Sequence, residues 1–234
     1  MTAAAARQKL LALANSDKAA FHAKYFKTGP GEYAEGDRFL GVTVPQTRRI
    51  VREFRALPLP EVKTLLRSTW HEERLLALLI LVAQFETAND KTQDKIYRLY
   101  LASTRHINNW DLVDCSAPKI VGAYLFDKPR APLYELARSA NLWERRIAII
   151  ATAQFIREND FRDTLKIARL LLHDREDLIH KAVGWMLREA GQRDNDTLEA
   201  CLQNHYRSMP RTMLRYAIER FPERKRQAYL RGTM

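Results

Sequence analysis

An all-α fold is predicted by two features of this 234-residue chain. Apolar residues recur at helical spacing from end to end, and no convincing segment alternates as a half-buried strand would. Pro, Asn, Ser, Asp and Gly also fall between the periodic stretches, where helices begin and end. The length suits one continuous core or two small ones, and residues 1–234 are read here as a single domain.

Ala3 to Ala14 is rich in Ala and Leu, a helix-favouring mixture, and Ser16-Asp17 supplies an N-cap for a second helix ending near Phe26. Residues 28–41 then hold four of the eight glycines, so ordinary helix cannot continue through them. Without the GxxxxGK[ST] order this stretch reads equally as a substrate-contacting loop or a long connector. Pro45 stands near the start of the next helix, where its missing N–H costs nothing. Arg48 and Arg52 share a face of that helix at i and i+4, suited to phosphates or simply to solvent. Pro60 opens a helix to about Arg67, and Trp70 to Ala88 is apolar enough to be a buried helix. Asp90 to Ser103 is amphipathic, with Ile96, Tyr97 and Tyr100 on its inner side. A helix carrying Trp110 and Asp114 follows. Beyond Pro129 and Pro132, helices fit 132–139, 142–157, 161–172, 176–190, 195–206, 210–220 and 223–231.

Within this series runs a weak repeat. Trp70, Trp110 and Trp143 each open a helix, in steps of 40 and 33 residues, and a further step of about 35 reaches Leu178 at the start of the helix through Lys181 and Trp185. Helix pairs at this period read as a HEAT-like solenoid, whose stacked antiparallel helices generate a concave face. An irregular bundle with coincidental spacing is the alternative.

Lys plus Arg number 39 against 28 acidic residues, a formal charge of +11. Such an excess suits a polyanion, because displacing counterions from phosphates favours a basic surface. Solubility, a membrane surface or a ribosomal location would also account for it. The two cysteines, Cys115 and Cys201, have no CxxC partner, which argues against a disulfide scaffold or thiolate zinc site and suits a reducing cytoplasm. The longest apolar run, Leu75 to Ala83, is too short to span a bilayer. The histidines show no H-E-x-x-H or clustered spacing, so no metal or other cofactor is expected.

Trp110 and Asp114, four residues apart, place an indole and a carboxylate on one face of a helix. Lys181, Trp185 and Arg188 fall at i, i+4 and i+7 on a single stripe, and Arg146 belongs to the intervening helix. Two indoles, one carboxylate and several cations make a poor core. They suit a nucleic acid backbone, with cations on phosphates and aromatic faces against sugar or base. Interhelical packing by the tryptophans, with snorkelling cations, is the competing account.

Asn109-Trp110-Asp111-Leu112-Val113-Asp114 with Pro118 and Gly122, then Asn141-Leu142-Trp143-Glu144-Arg145-Arg146, then Lys181-Ala182-Val183-Gly184-Trp185-Met186-Leu187-Arg188-Glu189 resemble, in order and spacing, the signatures of the AlkD family of HEAT-like DNA glycosylases. The resemblance spans nearly the whole chain. It implies an enzyme that removes cationic alkylated purines, N3-methyladenine and N7-methylguanine, from double-stranded DNA without enclosing the base. It implies further that Asp114, Trp110 and Trp185 face the damaged nucleotide's deoxyribose, with Arg146 on the neighbouring backbone and Tyr25 and Arg48 on the DNA-binding surface beside Lys181 and Arg188. A monomer acting on duplex DNA in the cytoplasm, away from membranes, is expected. The glycine-rich stretch departs from the best-known member. A non-catalytic HEAT-like module that holds damaged or branched DNA is the alternative function.

Charge on the purine makes it a good leaving group, so cleavage needs neither a strong general acid nor a metal. What remains is a sugar cation. An anion near the anomeric carbon stabilises it, and Asp114 is the candidate, with the indole faces adding cation–π attraction.

Overall fold

The computed structural model describes residues 1–234 and is helical throughout, without a β-strand. An isolated bridge between Arg38 and Trp70 is the one β-type pairing. By internal contacts the chain divides into two compact units, Met1–Ile120 and Val121–Met234.

The first unit contains α1 (Ala3–Leu11), α2 (Ser16–Tyr25), α3 (Val44–Phe54), α4 (Leu59–Leu66), α5 (His71–Phe85), α6 (Asp90–Leu101) and α7 (Trp110–Ala117), with a 3₁₀ turn at Thr104–His106. Its centre is α5, against which α3, α4, α6 and α7 pack. Every residue from His71 to Val82 is buried, as the apolar run predicts. Burial extends to the charged first turn. Glu73 is fully covered and takes a two-pronged ion pair from Arg7 of α1, with both N–O distances at 2.8 Å.

Caps explain most helix starts. The N-cap of α2 is Asn15, whose Oδ1 accepts the Lys18 N–H at 2.9 Å, one residue before the Ser16-Asp17 expected. Thr43 and Gln46 form a reciprocal capping box at α3, with Pro45 inside its first turn. Asn109 caps α7 and is completely buried, its Oδ1 accepting the Trp110 N–H at 2.8 Å.

The second unit contains α8 (Ala123–Leu125), α9 (Ala131–Ala137), α10 (Leu142–Ala151), α11 (Ala153–Arg157), α12 (Arg162–Leu170), α13 (Asp177–Arg193), α14 (Asn195–His205), α15 (Arg211–Ala217) and α16 (Glu223–Arg231). A short π-helical segment, Pro118–Gly122, spans the boundary between the units. Helix α10 packs on α9 and α13, and α13 also packs on α14 and α15. The single helix expected over 142–157 is interrupted at Thr152. That buried hydroxyl donates to the Ile149 carbonyl at 2.7 Å, in competition with the helical ladder. Gly184 lets α13 approach α15, since a Cβ there would stand 2.4 Å from the Met213 carbonyl oxygen and 2.6 Å from Tyr216 Cβ. The glycine of the Lys181–Glu189 signature therefore has a packing cause.

Candidate active site

In the first unit the site is built around Trp110, the first residue of α7. Its indole stacks on Phe26 at 5.2 Å between ring centroids and meets Tyr25 edge-on at 6.1 Å. Its Nε1–H donates to the Tyr33 hydroxyl at 3.2 Å. Asp114 stands one turn further along α7, half-buried. Arg48 lies exposed on α3, and its positive charge, like the negative charges of Asp111 and Asp114, is felt by the Cys115 thiol. Burial first, then those two carboxylates, push that thiol's pKa well up, so it stays protonated and weakly nucleophilic.

The glycine-rich stretch proves to be part of the wall. Tyr33 supplies the hydroxyl that meets the indole, Asp37 is a hub, and Phe39 stacks on Phe26 at 5.1 Å. Its far end is set by Gly41, whose φ of +78° and approach to the Asn15 carbonyl, 2.1 Å from where a Cβ would lie, exclude any other residue without rearrangement. The Glu72 carboxylate accepts the backbone N–H groups of Leu40, Gly41 and Val42 at 2.9–3.2 Å and fastens the stretch to α5.

Behind the indole lies a buried charge chain that sequence reasoning missed. His71 Nε2 is 2.8 Å from Asp111 Oδ2, and its Nδ1 is 3.3 Å from Asp37 Oδ2. Asp37 Oδ1 accepts from Arg74 at 2.8 Å and from the Asn108 amide at 3.2 Å. The imidazole is 2% exposed and lies against Phe39, at 4.6 Å, and Phe26, at 5.1 Å. Burial works against its charge, but the charge of Asp111 and the hydrogen bonds that the ring donates to Asp111 and Asp37 outweigh burial and raise its pKa to about 9. It is an imidazolium at neutral pH. Asp37 is held below the usual carboxylate range, because burial is outweighed by its bonds to His71 and the charge of Arg74. Two sequence signals were available here: a first turn of His71, Glu72, Glu73 and Arg74 opening a helix that is apolar beyond it, and an Asp within the glycine-rich loop.

The second unit carries the other expected residues. Trp185 is half-buried on α13 and donates its Nε1–H to Glu189 Oε1 at 3.0 Å. Lys181 pairs with Asp177 at 2.8 Å. Arg188 bonds Glu189 at 3.0 Å and also pairs with Glu219. Arg146 is 5% exposed and donates to the Leu178 carbonyl at 2.6 Å, at the start of α13. Its neighbour Arg145 is held by Asp174 at 2.6 Å. Across the chain, no three His, Cys, Asp or Glu side chains come together in a metal-holding arrangement. No helix is long and apolar enough to cross a membrane.

Comparison with solved structures finds a predicted DNA alkylation repair enzyme from Enterococcus faecalis, which superposes with a TM-score of 0.70 at 17% identity over 90% of this chain and 97% of its own. At that identity the likeness establishes a shared all-helical fold. No curated protein matches the chain. The family model for DNA alkylation repair enzymes matches residues 6–221, nearly the whole length, and the chain therefore belongs to the DNA alkylation repair enzyme family.

Proposed function

We propose that the protein is a monofunctional, metal-independent DNA glycosylase of the AlkD type, hydrolysing the N-glycosidic bond of N3-methyladenine and N7-methylguanine in duplex DNA. The observation that carries this reading is the placement of Asp114 one turn beyond Trp110 on a short helix whose start is fixed by buried Asn109 and by the Asp37–His71–Asp111 chain. Such support holds a carboxylate and an indole in a fixed relation, as stabilisation of a developing charge requires.

In this reading the C1′–N bond breaks and its electron pair goes to the purine, whose positive charge is thereby neutralised. That charge replaces a general acid. Asp114 stabilises the oxocarbenium-like sugar and orients water, which adds to C1′ while its proton passes to the carboxylate and on to solvent. Trp110 presents a π-face that attracts the sugar more strongly as positive charge grows. From the family resemblance, Trp185 is assigned to deoxyribose and Arg146, Lys181, Arg188, Arg48 and Tyr25 to DNA, with residues 1–234 taken as a single domain.

The test is incubation of purified protein, with chelator present, on duplex DNA containing N7-methylguanine. Release of the free methylpurine, with uracil-containing duplex left intact, is the expected result. Efficient uracil release would refute a mechanism that relies on the charge of the base. DNA binding without release would instead identify a non-catalytic module.

A further inference from the structure

Within the second unit an open pocket of about 420 Å³ is bounded by the turn from α14 into α15 and by the end of α16. Its charged lining residues are Arg207, Arg211 and Arg231, and no carboxylate side chain is among them. Cations suit helix C-termini, which gives arginine a structural use here. That use occupies few of the donors. Arg207 donates its Nε–H to the Tyr206 hydroxyl at 2.9 Å, with its guanidinium carbon 5.5 Å from the centre of that ring. Arg211 donates to the Leu230 carbonyl at 2.5 Å. A guanidinium carries five N–H donors, so each of these two is anchored through one and keeps the others. Arg231 is exposed at the last residue of α16.

The acids on the surrounding helices are matched elsewhere. Helix α15 has none, and those of α14 and α16 lie toward the opposite ends of these helices: Asp196 and Glu199 on α14, Glu223 on α16. Glu199 holds Lys225, and Glu223 holds Arg226. Asp177 of α13, which reaches α15 at the Thr212 hydroxyl, is paired with Lys181. The remaining acceptor is the Met234 main-chain oxygen, which takes the Tyr206 O–H at 2.8 Å. A full negative charge at Met234, set against three arginines, still leaves a net charge of +2. His205, beside Tyr206, can only add to it.

We infer that this pocket binds a phosphate group through Arg207, Arg211 and Arg231. The planar fork of a guanidinium fits two phosphate oxygens at once, and charge-assisted bonds of this kind are about twice as strong as neutral ones. The volume falls within the roughly 300–1,000 Å³ typical of ligand pockets, more than a lone phosphate fills, which leaves room for a sugar attached to it. The family match ends at residue 221, so α16 and Arg231 lie outside it. The phosphate has two sources: a diester of the DNA backbone, or the monoester of a free nucleotide. Neither depends on the glycosylase reading.

Calorimetric titration of the intact protein with inorganic phosphate, in chloride buffer of constant low ionic strength, tests the site directly. Saturable binding is expected. Arg207→Ala and Arg231→Ala, both at exposed positions, should each weaken it tenfold or more while thermal unfolding stays that of wild type. Arg169→Ala, at an exposed position on α12, removes the same charge elsewhere in the unit and should bind as wild type. Failure of wild type to bind phosphate saturably, or binding unaltered in both pocket variants, overturns the proposal. Titration of undamaged duplex distinguishes the sources. If the phosphate belongs to a DNA backbone, each pocket variant lowers the dependence of log K on log salt by about one, and saturating duplex displaces inorganic phosphate. If it belongs to a free nucleotide, the salt slopes match wild type, and adenosine 5′-monophosphate binds the duplex-saturated protein at least as tightly as inorganic phosphate does. Wild-type protein that binds phosphate but excises no base removes the glycosylase reading and leaves the site standing. Normal excision without phosphate binding does the reverse.

Discussion

His71 Nε2 lies 2.8 Å from Asp111 Oδ2, so the residue that opens α5 is tied to the one directly after Trp110 on α7. Because α5 is the most deeply buried helix of its unit, this bond fixes the indole-bearing turn to the least mobile part of the unit. The same imidazolium reaches Asp37 through its other nitrogen, which gathers the glycine-rich segment to the same point.

Stability should depend on pH through that imidazolium. Its pKa is raised from 6.5 unfolded to about 9 folded, so its contribution is fully present below about pH 6.5 and is lost as pH rises through about 9. At about 1.36 kcal/mol per pKa unit the gap corresponds to roughly 3 kcal/mol. Denaturant unfolding across pH 6 to 10 should show this decline, and His71→Gln should flatten it while lowering stability at neutral pH. A wild-type curve matching that of the Gln variant would contradict the assignment.

Gly184→Ala should destabilise the second unit, because the added methyl would meet the Met213 carbonyl oxygen at 2.4 Å and force α13 and α15 apart. A cost of about 1–3 kcal/mol is expected for such overpacking. Unchanged unfolding would mean that the helices separate freely at this point.

The fold was legible in the sequence wherever one residue decides a local outcome. Pro45, Pro60, Asn89 and Asn141 lie at the starts of helices, and most helix ends fall within about three residues of the expected positions. Thr152 was not legible, since a back-bonding hydroxyl inside an apolar run looks like any other β-branched residue. At the candidate site, the spacing of Trp110 and Asp114 put them on one helix face but suited packing as well as chemistry, and only the family resemblance gave them a role. The pairing of His71 with Asp37 and Asp111 did not, because it joins residues 34 and 40 positions apart and depends on how the loop returns to α5. Gly122 and Gly184 figured in the family signatures as plain matches, whereas the contact of Gly184 with α15 is a tertiary fact that no local pattern encodes.

DNA affinity should respond differently at the two cations of the α13 stripe. Lys181 is half-exposed in an i, i+4 pair with Asp177, a contact that exchanges readily for phosphate. Lys181→Ala should therefore lower the dependence of log K on log salt by about one. Arg188 is held by Glu189 and Glu219, and Glu219→Gln should release part of that hold and tighten binding at low salt. A salt slope unchanged by both substitutions would place this stripe away from DNA.

Asp114→Asn separates catalysis from structure. The amide keeps the size of the carboxylate but loses its charge, so affinity for lesion-containing duplex and the unfolding transition should remain close to wild type. Single-turnover excision should fall by about a hundredfold or more, the usual cost of removing one group that stabilises charge in a transition state. Trp110→Ala should instead weaken both affinity and excision, because it removes contact surface, its stack on Phe26 and the bond to Tyr33 along with the π-face. If Asp114 serves only to hold α7, its Asn variant will unfold earlier and excision will drop only in proportion to the folded fraction. Unfolding, DNA titration and single-turnover release on one preparation distinguish these cases, and a well-folded Asp114→Asn protein with normal excision would refute a catalytic role for the carboxylate.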